Sequence, residues 1–426
     1  MKSKALFVAV MAALALSACG GGDPEPVAET APPAEAAPEA TTEATDDVVV
    51  TDAELAGNPF MAEWDTPFGV PPFEAISDDH FMPAFKKGVL ELRSEVAAIT
   101  ENPEPATFEN TILALETSGD LMTRVGLVFS PLAGTELNEQ KRAIQSEMYP
   151  MWTRETDKIT LNDALWQRVQ TVYNNRDTLG LDEQEARLLE LTHRRFVRAG
   201  AALDADTKAK VAAINEEISG LTTKFGQNLL TSTKAFTIDI TDEADTAGLS
   251  DSFKASIWDE EKQAWVVTLD RSVYETFMTQ SENRELRERA FNGYRLRSTE
   301  GETDNGPLSI KIAQLRAQRA ALLGYDSHAQ YILEYNMART PKGAEDFLLR
   351  VWEPGLARAK EERADMQAMI GDEFTFAGHD WWHYSEKVRE QRYNLDVNEL
   401  KPYFELESVT EGAFEMANRL FGITFT

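Results

Sequence analysis

Apolar residues recur at intervals of three and four along most of the chain from Asn58 onward, a pattern that predicts a mainly α-helical body. The clearest helix spans residues 203–230, with Asp204 placed to cap its N-terminus. Its apolar stripe consists of Val211, Ile214, Ile218, Leu221, Phe225 and Leu229. Stripes of this kind indicate core packing rather than chemistry.

Two further segments show the same periodicity. Residues 307–324 begin with Pro307, which suits the first turn of a helix, and end with Gly324, which suits a C-terminal cap. Residues 342–362 predict a third long helix. The fold class expected from these patterns is mainly α, a large multi-helical lobe.

Two short stretches alternate apolar and polar residues instead. Residues 235–241 and 264–270 therefore predict two strands, paired as a small β-hairpin. The sequence shows no internal repeat and no glycine-rich phosphate loop.

The N-terminus is typical of an export signal. Lys2 and Lys4 precede an apolar run that is too short for an ordinary membrane span. Cys19, the only cysteine, follows Leu-Ser-Ala and resembles the lipidated residue of a bacterial lipoprotein; an ordinary signal peptide with an incidental cysteine is the alternative. We therefore predict a signal peptide over residues 1–18 and lipidation at Cys19.

Residues 19–56 are rich in Ala, Pro and Glu, a composition that predicts a disordered tether. The folded body is then expected over residues 57–426. From these features we expect the protein in the cell envelope of a Gram-negative bacterium, lipid-anchored and facing the periplasm. Because Gly20 is not an obvious inner-membrane retention signal, the outer membrane is favoured.

The net charge of the chain limits the classes of partner that the protein is expected to bind. The chain has 42 basic and 72 acidic residues, a formal net charge of −30. This balance argues against nucleic acid as a partner, because phosphate neutralisation requires clustered Lys and Arg. It also argues against docking on anionic lipid through a basic patch, so contact with the membrane is expected only through the N-terminal anchor. With a single cysteine, no intrachain disulfide can form.

The most suggestive chemical motif is HDWWH at residues 379–383. Zinc peptidases carry His-Glu-x-x-His on a helix, where two imidazoles one turn apart bind the metal and the Glu acts as general base. Here Asp380 replaces the Glu and is shorter by one methylene. Glu407 or Glu411 lies at a suitable distance along the chain for a third ligand.

Three observations count against a zinc site at this motif. The shorter side chain of Asp380 would draw the carboxylate away from a metal-bound water. The apolar stripe of the following helix predicts that His379 and His383 lie on the solvated face, where a dry metal cavity cannot form. Gly378 also places the pair across the helix start. We interpret the motif as structural, and a degenerate metal site stays as an alternative.

The other chemistry that the sequence could support is limited. His80, His193 and His328 are not spaced for a shared metal and are predicted to be surface or packing residues. No G-x-S-x-G nucleophile elbow occurs. A cysteine nucleophile is excluded if Cys19 is lipidated.

Several stretches together carry a family resemblance. They are NPFMAEWDTPFGVPPFEAI (58–76), HFMPAFKKG (80–88), NPEPATFENTILALETSG (102–119), RFVRAGAAL (195–203), TKFGQNLL (223–230), LRAQRAALLGY (315–325) and MARTP (337–341). The sequence resembles the M3 family of zinc metallopeptidases, the thimet oligopeptidase type, and within it the bacterial peptidyl-dipeptidases. The resemblance covers residues 58–426, and Asp380, Trp381 and Tyr384 match a Trp-Asp-Trp helix start of that family.

The resemblance implies a two-lobed, neurolysin-like fold whose deep channel admits short peptides. It also implies zinc, held by a Phe-His-Glu-Phe-Gly-His motif and a further Glu that lie beyond the Trp-Asp-Trp helix. The sequence reaches Thr426 without this motif. We therefore expect an N-terminal portion of such an enzyme, with no catalytic or metal-binding residue of its own, no zinc bound to this chain alone and no independent activity.

The expected partners follow from the same resemblance. They are short peptide substrates and the missing C-terminal half, which a separate chain could supply; the chain itself is expected to be a monomer. A different hypothesis is a non-catalytic periplasmic lipoprotein that binds peptides or a partner through the helical lobe.

Overall fold

The computed structural model describes residues 48–394 and 400–425. The predicted signal peptide and Cys19 lie outside these residues, as does the tether up to residue 47. The described residues belong to one compact unit that starts at residue 48.

Part of residues 48–56, at the end of the predicted tether, is helical. They contain a short helix, α1 (Asp52–Leu55), in which Thr51 and Glu54 form a reciprocal capping box. Val48 packs against the first core cluster. The folded body therefore extends further toward the N-terminus than residue 57.

The described chain is mainly helical with one small sheet, which confirms the predicted fold class. After α1 the helices are α2 (Phe81–Thr100), a π-helical turn (Phe108–Leu113), α3 (Ala114–Glu116), α4 (Asp120–Thr135), α5 (Glu139–Thr160), α6 (Asp163–Asn174), α7 (Glu183–Ala199), α8 (Ala205–Ala235), α9 (Asp251–Ser256), α10 (Arg271–Gln280), α11 (Arg284–Arg295), α12 (Gly306–Leu322), α13 (His328–Leu333), α14 (Pro341–Ile370), α15 (Trp381–Tyr393) and α16 (Leu406–Phe421). The strands are β1 (Thr237–Ile240), β2 (Trp258–Asp259) and β3 (Ala264–Thr268).

The first core cluster lies between α2, α4 and α5. Phe81 and Phe85 are fully enclosed there. Two glycines allow the close approach: a Cβ on Gly88 would lie 2.5 Å from the backbone N of Met122, and one on Gly126 would meet a ring carbon of Trp152 at 2.2 Å. The absence of a side chain at these positions lets the three helices pack tightly.

Two more clusters complete the core. One joins the π-helical turn to α6 and α7, around the enclosed side chains of Leu165 and Phe196. The other joins the sheet to α9, α10 and α11, around Ile238 and Phe277. In each cluster, apolar side chains are removed from contact with water, and this burial stabilises the fold.

Helix α8 confirms the clearest sequence prediction. Asp204 caps it by accepting a hydrogen bond from the backbone N–H of Thr207 at 2.9 Å. Of the predicted stripe, Val211 is buried and the other members are partly buried. The helix lies between α5 and α12, and the two packed sides explain why Gln227 and Asn228 are buried as well.

The two predicted strands pair in antiparallel fashion, with Thr237 opposite Thr268 and Ile240 opposite Trp265. The predicted direct hairpin is wrong in its connection, because α9 and β2 lie between them. The tight hairpin instead joins β2 to β3, giving the order β1-β3-β2. A strand of two residues is too short to show alternation in the sequence.

The other predicted helices are present. Pro307 lies in the first turn of α12, and Gly324 follows its C-terminus with φ +83°. Helix α14 includes the predicted residues 342–362 and continues to Ile370. Within the part of the chain that the structure describes, we find no helix of the length and apolar character needed to cross a membrane.

Candidate functional site

The HDWWH segment lies where α15 meets α10 and α11. Residues Gly378–Asp380 form a 3-10 turn, and α15 begins at Trp381, so the motif does straddle the helix start as predicted. The turn packs against α11, where Gly378 faces the ring of Phe291; a Cβ at this position would lie 2.8 Å from the ring.

Asp380 is the centre of a buried ion cluster. Its carboxylate, which is fully buried, accepts hydrogen bonds from Nε and Nη2 of Arg284 at 3.0 and 2.9 Å. It also accepts from Nη2 of Arg287 at 3.1 Å and from the backbone N–H of Ala377 at 3.0 Å. Arg287 is itself 1% exposed and donates through Nη1 to the carbonyl of Ser281 at 2.8 Å.

This environment fixes the charge of Asp380. Burial alone would raise the pKa of its carboxyl group, but the hydrogen bonds from Arg284, from the Ala377 backbone and from Arg287 outweigh burial, and the pKa is lowered. The carboxylate is therefore ionised and fully engaged. The Asp380 carboxylate therefore has a structural role, because it joins α15 to α11. It does not suit the role of general base, which needs a raised pKa and a free lone pair.

The predicted position of the two histidines on the solvated face is wrong. His379 is 7% exposed and His383 is 5% exposed, while the neighbouring Trp382 is 41% exposed. The Nδ1 atom of His383 lies 3.0 Å from the carbonyl oxygen of Thr279, near the C-terminus of α10. That acceptor, supplied by a helix about 100 residues earlier, satisfies the imidazole in the interior and cannot be seen in the local periodicity.

Burial also determines the protonation state of the His379 and His383 imidazoles. The pKa of His383 falls to about 4 because of its burial and the nearby charges of Arg287 and Lys387. The pKa of His379 is lowered as well, chiefly by burial. Both rings are therefore neutral at pH 7.

The residues of HDWWH do not fit a zinc site. The carboxylate of Asp380 is hydrogen-bonded to the guanidinium groups of Arg284 and Arg287. The Nδ1 atom of His383 lies within hydrogen-bond distance of the Thr279 carbonyl. The cations of Arg284 and Arg287 beside the motif would repel a divalent ion. Glu407 and Glu411, considered above as third ligands, lie on the exposed helix α16. Across residues 48–394 and 400–425, no three His, Cys, Asp or Glu side chains are grouped to hold a metal ion.

The remaining histidines have local roles. His80 accepts at Nδ1 from the backbone N–H of Ser77 at 3.0 Å and so caps a short turn. His193 stacks on the ring of Tyr173 with centroids 3.7 Å apart. His328 is partly buried near Tyr331. The prediction that these are packing or surface residues describes each of them.

An apolar cleft of about 450 Å³ lies beside α4. Trp64, Phe73 and Leu127 contribute to its lining, and Asp120 and Arg124 add one charge of each sign. A cleft of this size and composition is within the range that binds a small ligand or a short peptide.

Helix α14 exposes many large apolar side chains. Every residue from 345 to 358 is exposed, including Phe347, Leu348 and Trp352 at 56%, 65% and 63%. Only Met366 and Ile370, near the end of the same helix, are buried.

Helix α16 has the same character. None of its residues is buried, although Leu420 and Phe421 are among its exposed side chains at 66% and 74%. Its ion pair between Arg419 and Glu415 lies within the helix. Large apolar faces of this kind mark interaction surfaces.

Comparison with known proteins gives consistent matches. The profile of "Peptidase family M3" matches residues 277–426. The chain is similar to the dipeptidyl carboxypeptidase of Escherichia coli (strain K12), with 35% identity over 378 residues, covering 86% of this chain and 56% of that protein. The dipeptidyl carboxypeptidase of Salmonella typhimurium matches at 34% over 381 residues, covering 87% of this chain and 56% of the relative.

A second type of relative matches at lower identity. Oligopeptidase A of Escherichia coli is 27% identical over 371 residues, covering 84% of this chain and 55% of that protein. The chain thus spans about half the length of the curated relatives it matches.

Proposed function

Because this chain belongs to peptidase family M3, we propose that it forms the helical part of a zinc-dependent peptidase of the peptidyl-dipeptidase type, which hydrolyses short peptides. The observation that carries the proposal is the 35% identity to a dipeptidyl carboxypeptidase over 378 residues. The lower identity of 27% to oligopeptidase A favours the dipeptidyl carboxypeptidase type over the oligopeptidase A type.

The proposed contribution of this chain is architectural. Zinc in such an enzyme would activate water for attack on the peptide carbonyl. Residues 379–383 do not supply its ligands, because their donors are bound to Arg284, Arg287 and the Thr279 carbonyl. We assign the metal and the catalytic groups to the part of the enzyme that corresponds to the unaligned portion of the relatives.

The buried ion cluster would then have an indirect role. Asp380, held by Arg284 and Arg287, fastens α15 to α11, and His383 fastens it to α10. A fixed α15 keeps the surrounding helices in register, which a channel wall requires because small displacements of substrate-positioning groups lower the rate strongly. These are positioning residues.

The test is a product analysis. A polypeptide that contains this chain followed by the unaligned portion of the Escherichia coli dipeptidyl carboxypeptidase is incubated with N-acetyl-tetra-alanine, and products are identified by mass spectrometry. The proposal predicts N-acetyl-dialanine and dialanine, loss of both on treatment with a chelator, and recovery with Zn²⁺. Hydrolysis that survives chelation, or no dipeptide at all, would contradict it.

A second candidate is a non-catalytic lipoprotein that binds short peptides. The apolar cleft lined by Trp64, Phe73 and Leu127, with Asp120 and Arg124 beside it, favours this candidate. It predicts that the chain alone binds tetra-alanine by calorimetry without zinc, and that Leu127→Glu weakens binding at least tenfold. Unchanged affinity in that variant would exclude this cleft.

The proposed location follows from Cys19. We place the protein in the cell envelope of a Gram-negative bacterium, lipid-anchored and facing the periplasm, with the outer membrane favoured. Metabolic labelling with an alkyne fatty acid tests this: label is expected on the natural protein and absent from Cys19→Ser. Equal labelling of both proteins would refute lipidation at this residue.

A further inference from the structure

We infer that the exposed apolar faces of α14 and α16 are the binding surface for a polypeptide corresponding to the part of the M3 relatives that this chain does not span. This rests on the proposed function. The surface is defined by Phe347, Leu348, Leu349, Val351, Trp352 and Leu356 of α14, and by Leu406, Val409, Phe414, Met416, Leu420 and Phe421 of α16.

On α14 the exposed face continues a face that is already packed. Leu348 and Trp352 lie at helical intervals from Met366 and Ile370, so all four occupy one stripe. The C-terminal end of that stripe is buried, where α14 packs against α15, and its N-terminal end is exposed. The same stripe therefore has a partner over one part of its length and none over the other.

The exposed part of α14 is also too broad for a surface helix. At about 100° per residue, its apolar side chains from Phe347 to Leu356 cover roughly 200° of the circumference. A helix that is apolar over more than half of its circumference belongs in the interior of a larger assembly.

Helix α16 supplies a second, independent face. Its apolar residues occupy roughly 160° of the circumference, and Glu407, Glu411, Glu415 and Arg419 follow the opposite side at intervals of four. Segregation of this kind is typical of a helix that buries one side. The structure leaves that side entirely exposed.

The two faces are large enough for a stable interface. Together they hold twelve large apolar side chains, each at least 39% exposed. If each contributes about 80 Å², roughly half of the lower figure for a buried aromatic side chain, the total is on the order of 1,000 Å². That exceeds the apolar patches of ordinary monomers and reaches the range of specific interfaces.

The comparisons indicate what covers these faces. The M3 profile match over residues 277–426 includes both helices, and nearly half of each dipeptidyl carboxypeptidase lies outside the aligned region. A second copy of this chain is a weaker candidate, because two bodies that each carry a net charge of −30 repel one another.

A binding experiment tests the surface. The full chain is titrated with the separately produced, tagged, unaligned portion of the Escherichia coli dipeptidyl carboxypeptidase, and Kd is measured by biolayer interferometry. Trp352→Glu and Leu420→Glu should each weaken binding at least tenfold, because a buried charge opposes association. Ile310→Glu is the matched control: this isoleucine on α12 is 63% exposed, as Trp352 is, and its substitution should change Kd less than twofold.

The outcomes separate this inference from the proposed function. The circular dichroism spectra of the variants should match that of the natural chain, because substitutions at exposed positions leave the fold intact. Binding without peptide hydrolysis would refute the proposed activity and leave the surface standing. No binding by the natural chain, equal binding by all variants, or a discrete homodimer that Leu420→Glu disrupts would overturn the inference.

Discussion

Residues 81–322 and the described residues of 341–394 and 400–425 are built from helices of the same kind, yet the first region buries its apolar faces and the second leaves many of them exposed. In the first region three clusters enclose side chains such as Phe85 and Leu165 completely. In the second, α14 and α16 leave leucine, phenylalanine and tryptophan side chains exposed. A periodic sequence thus predicts that a helix will bury one face, and the partner that buries it has to come from elsewhere in the assembly.

The ion cluster around Asp380 joins the two regions, because Asp380 of the second region binds Arg284 and Arg287 of the first, and its loss should give the largest effect. Asp380→Ala leaves Arg287, 1% exposed, with an unpaired buried charge. The free energy of unfolding should fall by about 3–5 kcal/mol. Urea denaturation at pH 7 measures it. As a control, Glu361→Ala breaks an exposed pair with Arg358 and should cost less than about 0.5 kcal/mol.

A leucine pair compares the two regions directly. Leu165→Ala should lower the free energy of unfolding by about 2–5 kcal/mol, because Leu165 is 0% exposed and its removal leaves a cavity. Leu348→Ala, at a residue 65% exposed, should change it by less than about 0.5 kcal/mol. Similar losses at both positions would mean that α14 is packed in solution and would remove the contrast.

Within the packed region, Asp157 makes stability depend on pH. Burial raises its pKa to about 6, although hydrogen bonds from Asn215 oppose this. The unfolded chain has the lower pKa, near 3.8, so the folded form holds the proton more tightly. The contribution of Asp157 is therefore present below pH 3.8 and lost as the pH rises through 6.

Asp157→Asn should stabilise the protein at pH 7 by about 1–3 kcal/mol, and the gain should vanish near pH 4. Chemical denaturation of both proteins at several pH values checks this. A gain that is constant with pH would contradict the assignment.

His383 should make the free energy of unfolding depend on pH in the opposite direction to Asp157, with a smaller effect. The folded protein depresses its pKa from 6.5 to about 4, so the unfolded chain binds the proton more readily. Its contribution is present above pH 6.5 and lost as the pH falls toward 4. His383→Gln should reduce this acid dependence by on the order of 1 kcal/mol, once solvent screening is allowed for. An unchanged pH profile would show that the imidazole is accessible to protons.

Much of the fold could be predicted from the sequence. The Asp204 cap, the stripe that includes Val211, and Pro307 at the start of α12 are local signals, and the structure has each of them. The connection of the sheet could not be predicted, because β2 has only two residues. A pattern needs several residues before its period is visible.

The HDWWH segment shows the limit of local reasoning. Its periodicity indicates that the histidines face solvent, whereas both are buried. The reason lies in residues far away in sequence: Arg284 and Arg287 neutralise Asp380, and the carbonyl of Thr279 meets His383. Buried polar groups are decided by such distant partners, which no spacing within the motif contains.

Hydrogen exchange of α14 and α16 tests the central claim most directly. Amide exchange is followed by mass spectrometry for the full chain alone and with the unaligned portion of the Escherichia coli dipeptidyl carboxypeptidase. Residues 345–358 and 406–421 should exchange much faster than α2 in the chain alone, and should slow at least tenfold in the mixture. Protection as strong as that of α2 in the chain alone, or no change on mixing, would contradict the claim that these faces await a partner.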